Sequence, residues 1–220
     1  MSEWEIVWQA RDSILDGFIN TLILFSLSTP IAFVAGCGLG YLLDKRNGLS
    51  ITLRWYMNAM RMLPFLILAY LLYYGLPSLG LRLDAWTAGL IALVIYYTAY
   101  FAEVLRGARM VLPEGYVEAG KAYGFTPLRL YWRIILPQLV IKTRPLLGNL
   151  LILALKDTAF LTIITVQELT AAANSVQATY FIPMEAFVVV ILLYWLISIC
   201  LELALKWASR FGVKRGFENA

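Results

Sequence analysis

The chain contains no histidine, only two cysteines, and charged side chains at only 15% of its 220 positions. Without histidine, and with Cys37 and Cys200 inside apolar runs far apart in the sequence, neither a zinc site nor a disulfide framework can be built. Both cysteines read as core packing. The net charge of +4 comes from basic residues scattered between apolar runs, so no soluble nucleic-acid-binding module is visible and membrane topology accounts for the charge better. The N-terminal residues do not resemble a secretory leader either. Residues 1–16 carry Glu3, Glu5, Asp12 and Asp16 where a basic segment would be needed, and the apolar run that follows is too long. That run is expected to remain as the first membrane span.

What the chain has in excess is apolar surface: 61% hydrophobic residues and a mean hydropathy of +0.73. These values point to an all-α membrane protein crossing the bilayer several times. At about 20 residues per span, there is room for about five helices and one substantial loop. The apolar runs place spans near 17–43, 55–74, 85–105, 145–166 and 186–206. Pro64, inside the second, removes a backbone hydrogen bond and predicts a kink. Gly36 and Gly40, four apart in the first, read as ordinary close packing. Trp4 and Trp8 suggest a short interfacial helix before the first span.

Lys and Arg concentrate in three places: Lys45, Arg46 and Arg54; the run from Arg106 through Lys121 and Arg133 to Arg144; and Lys206, Arg210, Lys214 and Arg215. Opposite them lie Arg11, Arg82 and a stretch from Glu168 to Glu185 with no Lys or Arg. The asymmetry predicts an outside N-terminus and a cytoplasmic C-terminus. The expected organisation is an N-terminal periplasmic or interfacial segment (1–16), one transmembrane domain (17–207) with a cytoplasmic loop at about 108–138, and a cytoplasmic tail (208–220).

That loop is the most informative segment. Pro113-Glu114 starts a helix, Gly124 stops it, and Thr126-Pro127 starts another, expected to run through Leu128, Tyr131 and Trp132 as far as Pro137. Small Ala119, Gly120 and Ala122 would let a partner approach the backbone, with Tyr116, Val117 and Tyr123 as apolar anchors. Gly115 to Ala122 is one residue away from a phosphate-binding loop, but Ala122 stands where Ser or Thr must hold magnesium, and no strand precedes it.

Glu118-Ala119-Gly120, three residues, Gly124, nine residues, then Ile134, Leu136 and Pro137 resembles the EAA loop of bacterial ABC importer permeases. Tyr100, Ala102-Glu103, Arg106-Gly107, Lys156-Asp157-Thr158 and Glu168-Leu169-Thr170 extend the likeness to the polar amino acid uptake subfamily. Two departures stand out: Gly120 replaces the usual third-position Ala, and Arg61-Met62-Leu63-Pro64 replaces the subfamily's Arg-Gly-Thr-Pro. The resemblance implies the type I importer fold and ATP-driven uptake of a polar amino acid or related solute, such as a basic amino acid, opine or ectoine. It also implies that Glu118, Ala119, Gly120, Lys121, Tyr123, Gly124, Leu136 and Pro137 form the ATPase-coupling loop. The implied partners are ABC ATPase subunits carrying ATP and Mg, a second permease chain, more often a different one than a copy, and a periplasmic or lipid-anchored solute-binding protein, all in a bacterial inner membrane. This chain itself would be neither an enzyme nor a cofactor-binding protein.

Charges inside spans need partners or water. Arg61, Lys156, Asp157 and Thr158 are therefore candidates for the substrate pathway, Asp157 for an ammonium and Lys156 or Arg61 for a carboxylate. Pairing between helices explains the same charges equally well. Tyr73, Tyr74, Tyr96, Tyr97 and Tyr100 read mainly as interface anchors. A passive channel or ion-coupled carrier would explain the spans and charges but not the two-helix loop.

Overall fold

The computed structural model describes residues 2–45 and 48–213, with side chains described as far as Trp207. Arg46, Lys214 and Arg215 lie outside the described residues, as does the side chain of Arg210. All regular structure among them is helical. The chain opens with α1 (Glu3–Gln9), whose Ser2 and Glu5 form a reciprocal capping box, and whose Trp4 and Trp8 are exposed. The expected short helix is present. Then come α2 (Arg11–Asp44), α3 (Gly48–Met62) and α4 (Phe65–Tyr70), the last continued by a π turn (Leu71–Gly75) and a 3-10 turn (Leu76–Leu79).

Next follow α5 (Ala85–Met110), α6 (Gly115–Ala122), α7 (Pro127–Leu130), a second π turn (Tyr131–Ile135), α8 (Leu136–Lys142) and α9 (Arg144–Asp157). A 3-10 stretch (Thr158–Ile164), α10 (Leu169–Tyr180) and α11 (Pro183–Val213) complete the chain. Four of these segments are long and apolar enough to cross a membrane; α3 with Phe65–Leu79, bent by 106° at Leu63-Pro64, makes a fifth if the pair is counted as one broken span. Pro64 adopts an extended conformation at the break, as a residue without an N–H and with a restricted φ favours. The last helix continues to Val213, into the segment expected as tail.

The chain divides into two compact units. One takes in the chain as far as Pro30, Leu63–Val94 and Ile152–Glu202. Its core joins Val7 and Ile14 to Leu169, Ala173, Val176, Ile182 and Val190, so α1 and the start of α2 pack on α10 and α11. The rings of Tyr70, Tyr73 and Tyr74 cluster with centroids 4.6 and 4.7 Å apart.

The other unit takes in Ile31–Met62, Ile95–Leu151 and the chain from Leu203. Here α3 lays Leu53, Tyr56 and Met57 against Leu39, Leu43, Ala99 and Ala102, and the Tyr56 hydroxyl donates to the Ile95 carbonyl at 2.7 Å. Tyr96 and Tyr97 are buried rather than anchored at an interface, because α5 is enclosed along this stretch. Gly36 lets α2 touch α5: a Cβ there would stand 2.8 Å from Phe101 Cβ and 3.2 Å from the Ala102 amide nitrogen. Backbone cannot move aside as a side-chain tip can. Gly36→Val is therefore expected to destabilise the protein by about 1–3 kcal/mol, seen as a lower melting temperature in detergent. Gly38→Ala, with nothing within 4 Å, should leave it unchanged; equal behaviour of the two would contradict this packing.

Candidate coupling surface and substrate pathway

The helix α6 begins where the Glu114 carbonyl accepts the amides of Val117 and Glu118 at 2.8 and 3.0 Å. It ends in a Schellman arrangement. Gly124, at φ +74°, donates its amide to Lys121 O (2.9 Å), and Phe125 donates to Gly120 O (3.0 Å). The left-handed conformation at position 124 is what makes glycine the fitting residue there.

The two faces of α6 differ. Glu118, Ala119, Lys121 and Tyr123 are exposed and Tyr116 is at the margin of exposure, whereas Val117 turns into the core and Gly120 is buried. A Cβ on Gly120 would fall on Leu130 Cδ1, with Ile134 Cδ1 at 3.3 Å. The closeness that Gly120 permits is therefore to this chain's own second loop helix, not to a partner. This corrects the expectation that Gly120 and Val117 belong to a docking face. The missing methyl lets α6 sit directly on α7 and the π turn.

That second arm also differs from expectation at its end. Thr126 is extended and Pro127 occupies the first turn, but the threonine side chain makes no cap bond. The helix does not stop at Pro137. The π turn closes with the Leu136 amide on Tyr131 O, and α8 runs on to Lys142. A widened turn just before a proline accommodates its missing donor. Leu136 is buried in the core formed with Leu105, Leu112, Leu130, Ile135 and Leu139, and Pro137 is half-buried. Tyr131, also buried, donates its hydroxyl to Cys37 O at 3.0 Å. Burial pushes this phenol's pKa up and keeps it a neutral donor.

The charges near the span ends are paired. Glu103 takes Arg106 through two bonds of 2.7 and 2.8 Å and Arg61 at 2.9 Å, and Asp44 takes Arg109 at 3.3 Å. For Arg61 the helix-pairing alternative describes what is present. Lys156 is exposed, Asp157 half-buried and Thr158 buried; these three lie in the first unit, Arg61 in the second.

Sequence reasoning missed the roles of Glu168 and Tyr194. Glu168 is fully buried, and its carboxylate accepts the amides of Thr170 and Ala171 at 2.8 and 2.7 Å, capping α10. The Tyr194 hydroxyl donates to it at 3.1 Å and lies 3.4 Å from Thr158 Oγ1, next to Asp157. Glutamate is not among the usual capping residues, and Tyr194 sits in an unbroken apolar run, so neither stood out. Glu168 lies in the connection between spans. Burial raises its pKa to about 7, although the two amides and the tyrosine pull the other way.

Because this folded-state pKa is raised, Glu168 contributes no penalty below its ordinary value of 4.5. Its destabilisation grows as pH climbs from there to about 7, because the unfolded chain ionises this group first, and levels off once the folded protein ionises it too. Glu168→Gln, which mimics the protonated form, should flatten the fall in melting temperature between about pH 5 and pH 8. An identical pH dependence in the variant would exclude Glu168 as its source.

Comparison with known proteins agrees with this architecture. A histidine/lysine/arginine/ornithine transport system permease protein of Salmonella typhimurium is 32% identical over 217 residues, covering 92% of this chain and 95% of its own. An octopine transport system permease protein of Rhizobium radiobacter is 31% identical over 192 residues, covering 82% and 78%. The crystal structure of an amino acid ABC transporter with histidines superposes with a TM-score of 0.83 at 26% identity, covering 96% of this chain and 99% of that one. Residues 32–211 match the family described as the binding-protein-dependent transport system inner membrane component. With its apolar helices, its two-helix loop and this match over most of its length, the chain belongs to that family of transport permeases.

Proposed function

We propose that this chain forms part of the solute pathway in an ATP-driven importer of a polar amino acid or amino-acid-like solute, and that α6 transmits the partner ATPase's motion to it. The permease role itself follows from family membership. The solute class is supported by relatives that carry basic amino acids and octopine. On this reading the membrane is the bacterial inner membrane, with α6 and the end of α11 at the cytoplasmic side and α1 and α10 outside, as the distribution of Lys and Arg favours. A second permease chain completes the pathway, and a solute-binding protein delivers from outside. ATP and Mg belong to the ATPase subunits.

The carrying observation is how α6 is mounted. A helix whose inner face is locked on Leu130 and Ile134 through Gly120 moves as a rigid lever, while its outer face presents Tyr116, Glu118, Lys121 and Tyr123 to a groove. ATP binding by the partner would push this lever and favour the outward-open state; hydrolysis would release it. Lys156, Asp157 and Thr158 are the best candidates for contact with solute. Arg61, engaged by Glu103, is better placed to hold α3 on α5.

Co-expression with the chromosomal neighbours, purification in mild detergent and assay of ATP hydrolysis tests this. Glu118→Lys and Gly124→Val should lower solute-stimulated hydrolysis and uptake by roughly tenfold, equivalent to about 1.4 kcal/mol at the coupling step, with membrane insertion intact. Full activity in both variants would remove α6 from the coupling path.

A further inference from the structure

Two cavities flank the Asp44–Arg109 ion pair in the second unit, and of the proposed coupling surface only Lys121 reaches either of them. One, of about 220 Å³, lies behind α6 and has an apolar wall that includes Val117, Phe125, Leu130 and Ile135; its polar rim is Asp44, Lys45, Arg109 and Lys121. The other, of about 460 Å³, is lined by Asp44, Arg54, Arg106, Arg109 and Glu114 among others. Both sit where α2 and α5 end. The Lys45 ammonium lies 4.5 Å over the Tyr41 ring.

The charge balance is uneven. Lys45, Arg54, Arg106, Arg109 and Lys121 line the two cavities against the carboxylates of Asp44 and Glu114. Glu103, which holds Arg106 and Arg61, lines neither cavity, so the lining itself carries five cations against two carboxylates. A cationic excess beside an aromatic and aliphatic wall, at the ends of two membrane helices, has the chemistry of a site for an anion with an apolar body. A small hydrophilic anion would have no use for the wall.

We propose that the paired cavities bind the phosphate of an anionic phospholipid, its charge at Arg109, which lines both, with Lys45 on the side of one cavity and Arg54 on that of the other, and its apolar portion against the wall behind α6. This rests on the proposed sidedness, which puts the ends of α2 and α5 at the inner leaflet. Because Val117 and Lys121 of α6 line the same cavity, an occupied site would brace the coupling helix from behind. Anionic lipid would then tune how efficiently ATPase motion is transmitted.

The test uses the purified importer complex in nanodiscs of neutral phosphatidylcholine to which phosphatidylglycerol is added. Lipid retained by the complex is read by native mass spectrometry, and solute-stimulated ATP hydrolysis is read in parallel. Phosphatidylglycerol should be retained over phosphatidylcholine by roughly tenfold and should raise the stimulated rate. Lys45→Gln with Arg54→Gln, both exposed and outside the coupling surface, should abolish the preference while the melting temperature holds. Equal lipid retention by the wild type and the double variant would overturn the proposal. Displacement of phosphatidylglycerol by millimolar inorganic phosphate would assign the site to free phosphate instead. Loss of the ATPase subunit from the double variant would show that the cavities seat an acidic side chain of that partner, and would equally overturn it. A complex that forms and couples but ignores lipid charge leaves the importer reading standing and removes only this one; failure of any ATPase complex to form would count against the importer reading itself.

Discussion

A backbone in lipid has no water to bond, so each amide and carbonyl must be satisfied by the chain itself, and helices do this without help. The informative places are where helices break. In the first unit the chain leaves α-helical geometry at Thr158, runs as a 3-10 stretch to Ile164 and turns through a left-handed Thr165 before Glu168. The released groups are taken up locally: Asn20 donates to Gln167 O (2.9 Å), the Leu169 amide donates to Thr21 Oγ1 (3.0 Å), and Glu168 accepts two amides of α10. A buried carboxylate is tolerated there because it replaces the partners that the break removed. Such repaired breaks are where a permease can present polar groups without dismantling its core, and Lys156-Asp157-Thr158 opens this one.

In the second unit the proposed coupling role adds a mechanical constraint. On that proposal the loop must not yield, and α6 is held by three means: the Schellman turn at Gly124, the contact of Gly120 with Leu130, and a core shared with α2, α5 and α8 through Cys37, Leu105 and Leu139. The Tyr131 hydroxyl ties the π turn to the Cys37 carbonyl of α2. Force applied to the outer face of α6 would then reach two spans through packed side chains, not through a flexible tether. The Asp44–Arg109 pair links α2 to α5 by charge and Glu103 links α5 to Arg61 of α3, and the cationic excess around them is what an anionic headgroup would answer.

Much of this was legible in the residue order. Four of the apolar runs became candidate spans and the second a pair of helices broken at Pro64, a fifth span if counted as one, and Gly124 became the turn between loop helices. Trp4 and Trp8 ended on a short capped helix. The loop also showed where reading fails: Gly120 looked like an opening for a partner, and Pro137 like a stop, yet one faces Leu130 and the other follows a π turn. Small size and a missing N–H are local properties that say what a residue permits, not what stands opposite.

The amino-acid sequence by itself therefore determined what depends on near neighbours: transfer of 20-residue apolar segments into lipid, φ limits at proline and glycine, and the charge asymmetry of the loops. Only the tertiary structure decided which face of α6 is free, that Arg61 belongs to Glu103, and that Glu168 caps α10 under Tyr194. Burial and pairing depend on residues far away in the chain, and their free energies exist only once those residues meet.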